Sequence, residues 1–186
     1  MIRVEAFVDA ASSAVVEQID DIFFEASPRT AFASAAERTA YRERWLGRYL
    51  TYYAQEALVA RDEDGRVVGY LVGSLDDPAR TKRFADISYF AGFSDLTVRY
   101  PAHLHINLDP GWRNMGIGGM LIDAFVVGLM ERHTPGVHVV TGAAARNLPF
   151  YQRRGFVPLR QALWNGAPIL FMGRDLGPKS SVGRGV

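Results

Sequence analysis

The chain has 186 residues, of which 48% are hydrophobic and 22% charged, and its formal net charge is +1. That length suits one domain with its own core, and so even a charge balance provides no broad field for nucleic acid or anionic lipid. The absence of cysteine excludes disulfides, thiolate metal sites and cysteine nucleophiles, and is compatible with a reducing cytoplasm.

The first 21 residues lack the basic start, apolar run and small-residue cleavage site of a secretory leader. No stretch approaches the roughly 20 apolar residues of a membrane span. A cytoplasmic protein with neither membrane nor nucleic-acid partner is the expectation.

Residues 2–8 alternate apolar and polar and predict a first strand. Ser12 and Ser13 are N-cap candidates, followed at helical spacing by Val15, Val16, Ile19, Ile22 and Phe23; Pro28 closes that region. A second helix is predicted over about 34–55, with Tyr41, Trp45, Leu46, Tyr49, Leu50 and Tyr53 on an apolar side. Those aromatics read as core, with the wall of an acceptor pocket as the alternative. Residues 57–61 and 67–75 read as strands joined by the Asp-Glu-Asp-Gly turn at 62–65.

Segment 76–100 predicts a short helix plus loop packed over the rest. Its basic cluster, Arg80, Lys82 and Arg83, is a solvated face or a contact for an acidic substrate or nucleotide phosphates. Residues 102–108 form a strand, and a helix runs from 113 to about 133 until Pro135-Gly136 stops it. Residues 137–141 are a buried-type strand and 147–154 a short helix ended by Gly155. Strands at 156–159 and 169–172 are joined across Asn165-Gly166. The Gly- and Ser-rich tail 177–186 is expected to be disordered. The pattern predicts one mixed α/β domain over residues 1–176.

The string DPGWRNMGIGG lies between a strand and a helix, where main-chain N–H groups are unpaired and the helix dipole is positive. Gly116, Gly118 and Gly119 carry no side chains, so an anion can approach the main chain, which predicts a phosphate or pyrophosphate cradle. A dinucleotide fingerprint would need Gly at position 121, which is Leu, and the Gly-Lys-Ser/Thr of a P-loop is absent. A ligand-free glycine turn is the alternative.

Arg113-Asn114-Met115-Gly116-Ile117-Gly118 resembles the R/Q-x-x-G-x-G/A signature of the GNAT acetyltransferase superfamily, with Pro110 and Trp112 at positions where that family often has proline and an aromatic. A second block, from Asn147 through Tyr151 to Gly155-Phe156, resembles the family's N-x-x-x-Y-x-x-x-G-F. The resemblance covers residues 102–172 well, and the first hundred residues match in the order of elements. The HLHINL strand and the aromatic segment before it are also similar to the GNAT-like C-terminal domain of O-GlcNAcases and its bacterial relatives.

The resemblance implies a GNAT fold with a central splayed mixed sheet. It also implies an acetyl-CoA-dependent N-acetyltransferase in which a primary amine attacks the thioester directly. Leu108 and its neighbours would hold the pantetheine arm through the main chain. Arg113, Asn114, Met115, Gly116, Gly118 and Gly119 would hold the pyrophosphate, and Asn147 would touch the pantetheine or a water. Tyr151 would contact the co-substrate and act as general acid for the leaving thiolate. His103 and His105 are two apart on a strand, so both face one side, and their AHLH string resembles the histidine pair that aids deprotonation in arylalkylamine acetyltransferases. Here the pair stands one residue closer to the motif arginine. Two structural histidines are the alternative. So is a metal site, which would need a third ligand from Asp109, His133 or His138. The resemblance implies no metal, a small-molecule or peptide amine as acceptor, and a monomer or homodimer. A catalytically silent acetyl-CoA-binding module is the competing reading.

Overall fold

The structure, a computed structural model, describes residues 1–177; the tail expected to be disordered falls, beyond Gly177, outside the described residues. Strand β1 (Arg3–Ala6) is shorter than the alternation predicts, because the chain turns at Phe7 into a one-turn helix, α1 (Phe7–Ala10), that buries the Phe7 ring. Helix α2 (Ser13–Ala26) starts where Ser12 Oγ accepts a hydrogen bond from the Val15 N–H at 3.2 Å, and it buries Val15, Ile19, Ile22 and Phe23. Ser34 caps α3 (Ala35–Arg42) in the same way, through the Glu37 N–H at 3.1 Å.

The second predicted helix is not continuous α-helix. A π-helical turn, Glu43–Gly47, separates α3 from α4 (Arg48–Tyr52). Strands β2 (Leu58–Arg61) and β3 (Val67–Ser74) form the predicted hairpin. Segment 76–100 contains a 3₁₀ turn (Lys82–Phe84) and two one-turn helices, α5 (Tyr89–Gly92) and α6 (Ser94–Thr97). Strand β4 (Ala102–Leu108) leads through a 3₁₀ turn (Pro110–Trp112) to α7 (Ile117–Glu131). Helix α7 begins four residues later than expected. Asn114 and Gly116 have φ of 62° and 83°, a left-handed backbone that no α-helix continues. Strand β5 (Gly136–Gly142) and α8 (Leu148–Arg153) follow as predicted. Strands β6 (Val157–Trp164) and β7 (Ala167–Asp175) extend well past their predicted ends.

These strands make one mixed seven-stranded sheet in the order β1-β2-β3-β4-β5-β7-β6. Strand β4 pairs antiparallel with β3 over six positions, and β5 pairs antiparallel with β7 over its whole length. Between these two halves β4 and β5 run parallel and pair only at Ala102↔Val137 and His103↔His138. Each strand is held on its far edge, so beyond His103 the two halves diverge and the sheet splays. The alternation of β4 divides its side chains between two cores. Leu104, Ile106 and Leu108 pack with the α7 and α8 side, while His103, His105 and Asn107 point to the side of α2 and α4. Among the described residues no helix is long and apolar enough to cross a membrane.

Candidate active site

The splay opens a cavity of about 610 Å³ that passes between the halves of the sheet. Leu104, His105, Ile106 and Asn107 of β4 line one wall, and the opposite wall runs from Val139 to Gly142 of β5. From Leu104 onward the β5-facing edge of β4 has no partner strand, so its main-chain groups are available to a ligand lying in the cleft. Leu108 stands at the end of that strand. Its carbonyl accepts from Arg113 Nε at 3.3 Å, and it lies just beyond Leu104–Asn107, the residues of β4 that line the cavity.

Tyr151 and Asn147 enter the cavity from the α7 and α8 side. Tyr151 is buried, and that burial pushes its phenol up to about 12, so it holds its proton at neutral pH. Its ring is fixed between Phe150 and Phe156, at 5.2 and 5.7 Å. Asn147 Oδ1 accepts from Thr141 Oγ1 at 3.2 Å, which leaves its amide N–H groups for a ligand.

The glycine segment lies behind Ile106, a residue of the cavity wall, without lining the cavity itself. Among the described residues the main-chain N–H groups of 114–119 have no acceptor. Gly116 supplies the left-handed turn into α7. Gly118 and Gly119 answer to packing as well. A Cβ at Gly118 would stand 3.1 Å from the Phe150 ring and 3.6 Å from Ile106, and one at Gly119 would meet the Arg154 guanidinium at 2.4 Å. Met115 is exposed beside them.

The two histidines of β4 face one side, as their spacing predicts, but only His105 reaches the cavity. His103 is 2% exposed and shut into the core. Tyr49, from α4, joins them: its Oη lies 2.9 Å from His103 Nε2 and 3.1 Å from His105 Nε2. A hydroxyl has one proton to give, so one imidazole donates to Tyr49 and the other accepts from it. Burial holds His103 well below the ordinary histidine range, helped by His138 and His105. His105 is pushed down to about 4 by burial and by the charge of Arg48, and His138 to about 3 by burial. All three are neutral at pH 7. Among the described residues no group of three or more His, Asp or Glu side chains is arranged to hold a metal ion.

The basic cluster of segment 76–100 lies elsewhere. Arg80 pairs with Asp77 at 3.4 Å, and Arg83 stacks on Tyr52 at 4.7 Å and reaches Asp76 at 3.9 Å. Of the aromatics in the second predicted helix, Tyr41 and Trp45 line the cavity, while Tyr49 and Tyr53 are core. Sequence reasoning missed Asn107 and Trp164 as wall residues and Tyr49 as the histidine bridge. No local signal marks Trp164, which strict alternation groups with Pro158, Arg160 and Ala162, while the more apolar set, Val157, Leu159 and Leu163, is exposed.

This site can be set beside known proteins. Residues 53–158 match the acetyltransferase (GNAT) domain family. The chain belongs to the GNAT acetyltransferase family. Three solved structures share the GNAT fold of this chain. SsHAT is 23% identical with a TM-score of 0.69, over 95% of this chain and 99% of that one. A chain of the NatC complex bound to Gag peptide and CoA is 14% identical, with a TM-score of 0.67 over 95% and 99%. A phosphinothricin acetyltransferase from Sinorhizobium meliloti, in complex with AcCoA, is 20% identical, with a TM-score of 0.60 over 95% and 89%. In this GNAT chain both signature blocks meet at the splay: Gly118 lies against Ile106 of β4 and Phe150 of α8.

Proposed function

We propose that residues 1–176 form a single unit that transfers the acetyl group of acetyl-CoA to an amine nitrogen by direct attack, with Tyr151 as general acid. The observation that carries this reading is the splay itself. It puts Tyr151, Asn147 and His105 on one cavity, and Ile106 of its wall packs beside Gly118 of a segment whose main-chain N–H groups are unpartnered among the described residues. The solved complexes of GNAT proteins with CoA and AcCoA support the same co-substrate here.

When bound, acetyl-CoA supplies an activated acyl carbon and a thiolate leaving group. The N–H groups of 114–119 and the α7 dipole would neutralise its phosphates, and Arg113 stands at that end of β4. The open edge of 104–107 would align the pantetheine amides as an extra strand would. Asn147 would give its free N–H groups to a pantetheine carbonyl. Tyr151 Oη keeps a proton for the departing sulfur. His105 is the proton acceptor on the acceptor side. For its Nδ1 lone pair to be free, Nε2 must carry the proton shared with Tyr49, and Tyr49 in turn donates to His103.

Calorimetric titration tests the co-substrate. Acetyl-CoA should bind in the micromolar range, more tightly than adenosine diphosphate. Tyr151→Phe should leave that affinity in place and lower turnover by about 100-fold or more. Unchanged turnover in this variant removes the acid role. The low basicity of His105 favours one other reading, a silent acetyl-CoA-binding module; binding without thiol release across a broad amine panel would select it.

A further inference from the structure

The acceptor half of the cavity is walled by Phe23, Tyr41, Trp45, Tyr89 and Trp164, with His105 as its inner polar group. Trp164 is the corner. It meets Tyr89 at 5.2 Å and 90°, and Trp45 at 6.0 Å and 80°; Trp45 in turn stands edge-on to His105 at 5.7 Å. Its indole N–H is already taken by Ser88 Oγ at 3.1 Å. Among the residues lining the cavity there is no Asp or Glu, and the one charged side chain, Arg29 at the exposed rim, is paired with Glu37 at 2.5 Å.

Building on the acetyltransferase reading above, we propose that the acceptor is an arylamine, whose nitrogen is uncharged at neutral pH, and not a cationic alkylamine or lysine side chain. An alkylamine has a pKa of about 10 and enters as an ammonium. Stripping its water in a wall without carboxylates is costly, and cation–π attraction from the rings recovers only part of that. The groups facing the nitrogen, His105 with Tyr49 behind it, are also too weakly basic to deprotonate an ammonium.

An arylamine avoids each of these obstacles. Its lone pair is delocalised into a flat ring that can lie against the wall of Trp45, Trp164 and Tyr89, and its nitrogen arrives neutral. The N–C bond forms as the C–S bond breaks, and the bonding pair leaves with sulfur. Nitrogen becomes strongly acidic on acylation, so even a weak base such as His105 can take its proton, while Tyr151 protonates the sulfur. The products are an anilide and the free thiol, with one proton lost at nitrogen and one gained at sulfur.

The test compares p-anisidine, phenethylamine and a lysine-containing peptide at pH 7 by thiol release at saturating acetyl-CoA. The arylamine should show a kcat/KM at least about 100-fold above phenethylamine. The phenethylamine rate should climb about tenfold per pH unit towards its own pKa, while the arylamine rate stays level. Asn107→Asp, which puts a carboxylate in the wall beside His105, should narrow the preference about tenfold. A binding measurement independent of turnover uses the quenching of Trp45 and Trp164 fluorescence in the CoA complex. Acetanilide should bind at least about tenfold more tightly than phenyltrimethylammonium, whose charge is permanent. A faster phenethylamine or lysine peptide at pH 7, or tighter binding of the permanent cation, overturns the arylamine assignment. Absence of acetyl-CoA binding by calorimetry would instead bring down the acetyltransferase reading on which it rests.

Discussion

Tyr49 illustrates how much one buried hydroxyl decides at the scale of a residue. It has no access to solvent, and burial raises its phenol well above the ordinary value, so it serves as a neutral donor and acceptor and never as a phenolate. Tyr49→Phe leaves two imidazole nitrogens without their partner and should cost about 1–3 kcal/mol in urea unfolding. It also frees the His105 tautomer, so turnover should fall while the affinity for acetyl-CoA is kept. Wild-type turnover in that variant would separate the imidazoles from the chemistry. Gly116 allows a cleaner probe of the cradle than Gly118. No atom lies within 4 Å of a Cβ built at Gly116, so Gly116→Ala tests backbone strain alone, at about 1–2 kcal/mol, whereas a side chain at Gly118 also pushes on Phe150.

At the scale of elements, the aromatic wall of the cavity depends on how segment 76–100 is fastened to α4. Arg48 is buried and makes a two-pronged ion pair with Asp86, at 2.8 and 2.7 Å, while donating to the Arg83 carbonyl. Tyr53 Oη adds a 2.7 Å bond to Asp76. This clamp seats Phe84 and Phe90 in the core and brings Tyr89 to the cavity. Asp86→Asn strands the Arg48 charge. Because Asp86 is itself 38% exposed, the expected loss is about 2 kcal/mol, below the range for a fully enclosed pair. Unfolding in urea measures it. Acetyl-CoA affinity should hold, since the proposed binding mode draws its contacts from β4, α7 and α8, and binding of aromatic acceptors should weaken. The π-helical turn is the other fastening, because Trp45 lies within it.

Three enclosed histidines, His103, His105 and His138, tie the stability of the whole molecule to pH. Each is held neutral when folded, with a lowered pKa, whereas in the unfolded chain each titrates near about 6.5. Above that pH neither state gains a proton and their effect on stability is flat. As pH falls below it, the unfolded chain takes up protons that the fold refuses, so stability is lost towards about 4, where His105 protonates in place. His103 and His138 together give a slope of about 3 kcal/mol per pH unit near pH 5, and His105 adds less because it opens on the cavity. Urea unfolding across pH 4 to 8 measures this. His138→Phe, beside Phe171 at 4.5 Å, should reduce the slope, and equal stability at pH 7 and 5 in the wild type would contradict it.

The sequence by itself determined the parts of this protein whose geometry is local. The period of β4 put His103 and His105 on one side, and the glycine signature placed free N–H groups at the entry to α7, whereas the left-handed turn that delays the helix to Ile117 emerged only in the structure. The Asn147–Tyr151 spacing set both on α8's entry to the splay. It also carried the family, because both blocks are short and contiguous. Only the tertiary structure decided which histidine meets the cavity, since that depends on Tyr49, some 54 residues from His103. Only it assembled the aromatic wall of the cavity, from α2, α3, the π-helical turn, α5, β4 and β6, elements with no shared period in the chain. Side-chain direction within one element follows from backbone repeat, whereas neighbours drawn from separate elements are fixed by packing, which no local pattern encodes.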